Sequence, residues 1–242
     1  MIDIRNLSKQ FGQRWAVEKL NLSIKKGECF AFIGPNAAGK TTTIKLMTGL
    51  LKPTSGSVSI GGYDVEGKHI EAKRLIGYVP DVPYLYEKLT PREHVRFILD
   101  LYNENNEQRI ILSEQLFASF GISEYGDILV SDLSHGTRQK VVFTCLFIHN
   151  PSVIIVDEPM VGLDPESMRK IKNMLRQKGR EGSTVFMSTH TLSDAEELAD
   201  RIGIIDKGRL IALGTLDELK QRSGSMGKLE EIFLTLTKEG KT

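Results

Sequence analysis

The segment GPNAAGKTT, Gly34 to Thr42, has the spacing G-x-x-x-x-G-K-[ST], with Gly34, Gly39, Lys40 and Thr41 at the fixed positions. It follows the apolar run CFAFIG and precedes TTTIKLMTGL, so it joins the end of an expected strand to the start of an expected helix. These residue types in this context suit the holding of a phosphate chain. Loop and helix-start N–H groups would face the phosphate oxygens, and the helix end adds roughly half a positive charge. Lys40 would meet the β- and γ-phosphates as a point charge, and the Thr41 hydroxyl would ligate Mg²⁺. The loop residues Gly34, Pro35, Asn36, Ala37, Ala38, Gly39, Lys40, Thr41 and Thr42 are therefore the expected nucleotide cradle.

Such a cradle needs an acidic partner, and VIIVDE supplies one. Its β-branched run reads as a buried parallel strand whose carboxyl end carries Asp157, where α/β ligand sites form. Asp157 is expected to hold Mg²⁺ together with Thr41. Glu158 is expected to orient and deprotonate the attacking water, a role typically worth about 10² to 10⁴ in rate. His190 closes another strand-like run, TVFMST, on the same side, within reach of the γ-phosphate. No N-K-x-D guanine-reading motif occurs, which points to ATP. A further segment, LSHGTRQK, sets Ser134 beside His135, but nothing nearby completes a nucleophile, base and orienter.

The elements that must position these residues can be traced along the chain. Alternating segments at Ile2 to Leu7 and Val17 to Ile24 precede the cradle, and strands at Ser57 to Ile60 and in LIGYVP follow it. Around residues 82–150 the pattern becomes helical, with Pro91 in a first turn and Val95, Ile98, Leu99 and Tyr102 on one face. From Ser152 onward strands and helices alternate, which predicts a parallel sheet with crossover helices. The expected organisation is one ATPase domain over residues 1–218, with a helical lobe at about 82–150, and a short helical tail over 219–242.

Bulk properties narrow the partners. The 242 residues, 40% hydrophobic and 26% charged with a formal net charge of +1, suit a globular protein and argue against nucleic acid as a ligand. Cys29 and Cys145 lie far apart in apolar contexts and read as buried small hydrophobes in a reducing compartment. The amino terminus alternates like a strand and carries no signal-peptide pattern, and the longest apolar run, VVFTCLFI, is too short to span a bilayer. The expected location is cytoplasmic, with any membrane association made through a partner.

With the Gly34 loop, LSHGTRQK, VIIVDEP, GLDP and the strand-end His190 in this order, the chain resembles the ATP-binding subunit of ABC transporters over nearly its whole length. The resemblance implies a P-loop NTPase fold: an α/β parallel-sheet nucleotide-binding core, a small antiparallel β subdomain and a helical subdomain. It implies that LSHGTRQK is the signature motif, with Ser134, His135 and Gly136 facing the ATP held by a second subunit. Phe11 matches the aromatic that stacks on adenine, with Trp15 as a rival, and Val17 an apolar contact beside the base. Asp164 in VGLDPE matches the loop coupling the two nucleotide sites. The implied partners are a polytopic membrane subunit and a second ATPase, in a homodimer or a heterodimer with a paralogue. The tail resembles that of exporter-type ATPases. A soluble member working with a cytosolic scaffold, as in iron–sulfur cluster assembly, is the alternative.

Three departures stand out. Ala37 occupies a position where the family usually has glycine, at a cost of order 1 kcal/mol if φ is positive there. Asp81 replaces a usual glutamine that contacts Mg²⁺ and water, at a hinge beside the membrane-subunit groove, and His135 replaces a usual signature glycine.

Overall fold

The computed structural model describes residues 1–224 and 227–239. The chain opens with strands β1 (Ile2–Phe11), β2 (Arg14–Ile24) and β3 (Cys29–Ile33), then helix α1 (Lys40–Met47). Strands β4 (Ser55–Ile60) and β5 (Tyr63–Asp64), helix α2 (His69–Arg74) and strand β6 (Ile76–Val79) follow. Three helices come next: α3 (Pro91–Leu101), α4 (Glu107–Phe120) and α5 (His135–His149). The rest alternates as β7 (Val153–Asp157), α6 (Pro165–Arg180), β8 (Thr184–Thr189), α7 (Leu192–Leu198) and β9 (Arg201–Asp206). It ends with β10 (Arg209–Gly214), α8 (Leu216–Ser223) and α9 (Leu229–Glu239).

Two sheets organise the molecule. The larger has strand order β10-β9-β3-β8-β7-β6, and the smaller, antiparallel one has order β2-β1-β4-β5. In the larger sheet β9, β3, β8, β7 and β6 run parallel, and only β10 is antiparallel, to β9. Continuous apolar sequence in β3 and β7 follows from burial on both faces. In β3, Phe30 and Phe32 face the small sheet, where they meet Phe186 at centroid distances of 5.7 and 5.5 Å, while Cys29, Ala31 and Ile33 face the helices. In β7, Val153 and Ile155 join the first side and Ile154 and Val156 the second, as a period of two requires. Two cores thus sandwich one sheet and fix the height at which every strand ends.

The helices start where their capping residues lie. Thr90 and Glu93 form a reciprocal capping box ahead of Pro91, so α3 begins at the expected proline. Val95 and Leu99 then point into the core beside Phe117 and Phe143. Asn106 caps α4, and Gly121 ends it at φ +66°.

The structure departs from the sequence reading in places. β1 and β2 extend to Phe11 and from Arg14, leaving a two-residue turn where a longer loop was expected. α2 and β10 were not foreseen: α2 has six residues and buries only Ala72, too few for a periodic signal. β10 hairpins onto β9 across Lys207 and Gly208, both at positive φ. The expected border between residues 218 and 219 falls inside α8. The tail helix α9 packs Leu229, Ile232 and Leu236 into the main core, while residues 240–242 lie outside the described residues.

Candidate nucleotide site

The loop between β3 and α1 curls so that Gly39, at φ +113°, becomes the residue that precedes the helix. A Cβ on Gly39 would sit 2.4 Å from the Ala16 carbonyl oxygen, so only glycine lets the loop lie against β2. Ala37 adopts φ +62°, the left-handed conformation its sequence position suggested, at a cost of order 1 kcal/mol. Lys40 is buried, and its ammonium donates to the carbonyls of Gly34 at 2.7 Å and Pro35 at 3.3 Å. A cation is thereby stationed inside the loop, held by acceptors that an anion can replace.

The parallel register brings two other strand ends, those of β7 and β8, to the same edge. Asp157 ends β7 fully buried; the Ser188 hydroxyl at the end of β8 donates to its Oδ1, while Oδ2 has no hydrogen-bond partner. Burial pushes the Asp157 carboxyl above the usual carboxylate range, opposed by the Ser188 hydroxyl and, outside strict hydrogen-bond geometry, by the Thr41 hydroxyl. An acceptor-only oxygen left unsatisfied beside a second oxygen donor suits a hard divalent cation, and the residues present fit Mg²⁺.

Glu158 follows at φ +47°, a conformation a non-glycine residue holds only at a cost of about 1–2 kcal/mol. That backbone turn directs the carboxylate back across the sheet edge. Its Oε2 accepts hydrogen bonds from the His190 amide at 3.2 Å and lies 2.8 Å from His190 Nδ1, and Oε1 lies 3.7 Å from the Lys40 ammonium. Loop, acidic strand end and histidine are therefore one cluster.

A cavity of about 480 Å³ runs from this cluster towards the β1–β2 turn. Asn36, Ala37, Ala38, Gly39, Lys40, Thr41 and Thr42 line it, with Asp81 and Glu158 at one end and Phe11, Arg14 and Ala16 at the other. Its size falls in the range of ligand pockets. Phe11 is 51% exposed at the mouth, with the Lys9 ammonium 5.2 Å from its ring centroid, whereas Trp15 contributes nothing to the lining; the geometry favours Phe11 over its rival. Val17 is fully buried behind Gly39, with its Cγ2 3.5 Å from where a Cβ would be, so it supports the loop from beneath. Gly34, Pro35 and His190 likewise stand behind or beside the lining. Sequence reasoning missed Arg14 and Ala16, whose one available signal was their place in the turn that also carries Phe11. Asp81 is exposed, and its Oδ1 accepts from the Val82 amide at 2.9 Å.

Ser134, His135 and Gly136 do not reach this cavity. Ser134 caps α5, its Oγ accepting from the Thr137 amide at 3.2 Å, and both Ser134 and His135 are exposed. Gly136 approaches the loop before α6 so closely that a Cβ would lie 2.7 Å from the Gly162 carbonyl oxygen. Asp164 caps α6 through the Ser167 amide at 2.8 Å and pairs with Lys140 of α5, also at 2.8 Å. The Lys140 ammonium and then the Ser167 donors hold the Asp164 carboxyl well below the usual carboxylate range. The starts of α5 and α6 are in this way joined, and neither lines the cavity of their own chain.

A glycine-rich loop between strand and helix, an acidic neighbouring strand end and a parallel sheet define a P-loop nucleoside triphosphatase. A family model described as ABC transporter matches residues 17–161, and the chain belongs to that family as an ATP-binding, ATP-hydrolysing subunit. It is 35% identical over 93% of its length to the linearmycin resistance ATP-binding protein LnrL of Bacillus subtilis (strain 168), spanning 72% of that protein. It is 34% identical over 98% of its length to the probable multidrug ABC transporter ATP-binding protein YbhF of Escherichia coli (strain K12), of which it spans 41%. Among solved structures, an ATP binding subunit of an ABC transporter superposes with a TM-score of 0.93 at 32% identity, covering 98% of this chain and 99% of the other. A second, an ATP-binding cassette in a dimeric post-hydrolysis state bound to ADP and Pi, gives a TM-score of 0.80 at 25% identity, covering 89% and 99%.

Proposed function

We propose that two copies of this chain, or this chain and a paralogue, close head to tail around two ATP molecules and so drive export through a separate polytopic membrane subunit. The observation that carries this reading is the split between two surfaces. The cavity holds the residue types needed to bind a triphosphate, while Ser134 lies exposed and Gly136 half-buried at the start of α5, placed to meet the nucleotide of another copy. The similarity to a cassette solved as a dimer supports the same arrangement, and the resistance and multidrug relatives support export over the soluble scaffold ATPase.

In this mechanism Phe11 stacks on adenine, and the loop amides with Lys40 take the phosphates. Thr41 and Asp157 would hold Mg²⁺, which would neutralise charge developing on the phosphate oxygens. The oxygen of the attacking water forms the new bond to the γ-phosphorus as the β,γ-bridging bond breaks. Glu158 accepts the water proton, and His190 fixes the carboxylate through the 2.8 Å contact and lies next to the γ-phosphate. Asp164 transmits closure between the two sites, Asp81 with the helical lobe over 82–150 faces the membrane subunit, and the complex sits on the cytoplasmic side of the membrane. Glu158→Gln tests the assignment: ATP binding should persist, hydrolysis should fall by about 10² to 10⁴, and an ATP-bound dimer should accumulate in size-exclusion chromatography. Turnover at the parental rate would remove Glu158 from the role of base.

A further inference from the structure

A second concavity, of about 400 Å³, opens on the far side of α1 from the cradle and belongs to none of the residues above. Its floor is apolar: Leu46 and Val58 are 2% and 4% exposed, Val65 is 4% exposed, and Leu51 is half-buried. Its rim is cationic. Lys52 and Lys73 line the opening, and neither ammonium has an ion pair or hydrogen bond among the described residues. The Lys9 ammonium, donating to the Lys52 carbonyl at 2.8 Å, adds a third positive charge nearby. Glu66 and His69 complete the rim; the single carboxylate is outnumbered, and it too is unpaired among the described residues.

The surroundings remove the usual objection to an anion at a helix C-terminus. Three of the four last-turn carbonyls of α1 are already taken, Ile44 by the Thr48 amide at 2.9 Å, Lys45 by the Leu50 amide at 2.9 Å and Leu46 by the Gly49 amide at 3.2 Å. Gly49, at φ +66°, lets the Lys73 stem pass over the chain, its Cε 3.4 Å from where a Cβ would be. An aliphatic stem lying on apolar floor with its ammonium free at the rim is the arrangement expected for a side chain that meets both halves of an amphiphile. A purely polar anion would leave the half-buried Leu51 side chain uncovered, and a purely apolar ligand would leave two ammonium groups without a counter-charge.

We infer that this concavity is a binding site for an amphiphile that carries one anionic head, phosphate or carboxylate, on an aliphatic tail. The tail lies against Leu51 and the small apolar surface that Leu46, Val58 and Val65 leave in the concavity, and the head pairs with Lys52 and Lys73. The site lies at the opposite end of α1 from the phosphate loop, roughly 12 Å along an eight-residue helix, so it is separate from the nucleotide.

Isothermal titration of the full chain with decyl phosphate, kept below its micelle concentration, tests this. Saturable one-to-one binding is expected, weakened about tenfold or more in the double variant Lys52→Ala/Lys73→Ala, whose side chains are exposed and unpaired and whose fold should be unaffected. Leu51→Trp, which fills the concavity, should abolish it, and inorganic phosphate alone should show no saturable heat in the Lys40→Ala background. Lys40→Ala should leave decyl phosphate binding intact. No saturation below about 1 mM would overturn the inference. So would affinity unchanged in both rim and floor variants, or binding lost with Lys40→Ala; the last result would place the amphiphile in the nucleotide cavity and leave the ATP reading standing.

Discussion

Lys40 holds its ammonium against the carbonyls of Gly34 and Pro35, 3.7 Å from Glu158, so the cradle keeps its charge in place by contacts that a triphosphate would replace. Lys40→Ala should therefore lose ATP binding, read by titration with a fluorescent ATP analogue, while the melting temperature moves little. Unchanged affinity would remove the cradle from the mechanism. His149 makes a different kind of prediction. It is buried at the end of α5, stacked on Tyr102 at a centroid distance of 3.6 Å, and neither ring nitrogen has a hydrogen-bond partner among the described residues. Burial, aided by the Arg109 cation, pushes its pKa down from 6.5 to about 4. The folded state thus binds fewer protons than the unfolded one between these values, so stability is complete above about pH 6.5 and falls as pH drops towards 4. From pH 7.5 to 5 the loss should be about 2 kcal/mol. Urea titrations should show that fall in the parent and a smaller one in His149→Phe; equal falls would locate the acid sensitivity elsewhere. At this scale the motif residues were legible because each role follows from a side chain and its immediate spacing. Arg14 and Ala16 were not, because nothing in their own types marks them as neighbours of Asn36 and Thr42.

Helix starts do two tasks in this protein. Ser134 and Asp164 each close a helix N-terminus, and Asp164 also ties α6 to α5 through Lys140. Asp164→Ala should cost about 0.5–2 kcal/mol through loss of the cap, seen as a lower melting temperature, and Asp164→Asn should recover most of it. If both variants melt with the parent, the cap is not what holds the start of α6. Elements with strong local signals, such as α3 with its capping box or β7 with its unbroken apolar run, could be read directly. α2 and β10 could not: α2 is too short for periodicity, and β10 exists because β9 offers it an edge.

For the whole molecule, the question is which surface completes the site. Ser134→Ala should spare ATP binding by the isolated chain and impair ATP-dependent dimerisation of the hydrolysis-deficient Glu158→Gln chain. The lost cap costs about 1 kcal/mol, so light scattering with and without ATP, at a temperature where both proteins are folded, separates the two effects. A normal ATP-bound dimer would end the trans role. The sequence by itself pointed to the cradle, the acidic strand end and the alternation of strands and helices after Ser152, because a loop of nine residues or a strand of five encodes its geometry in its own spacing. Only the tertiary structure decided that Phe11 rather than Trp15 opens on the cavity, that Arg14 joins it, that Lys140 reaches Asp164, and that the start of α5 stays out of the cavity lining. Those relations depend on how Phe30, Phe32 and Phe186, on neighbouring strands of the larger sheet, pack under the smaller sheet and set the strand ends level. Packing of that kind is a property of residues brought together by the fold, and it has no local signature.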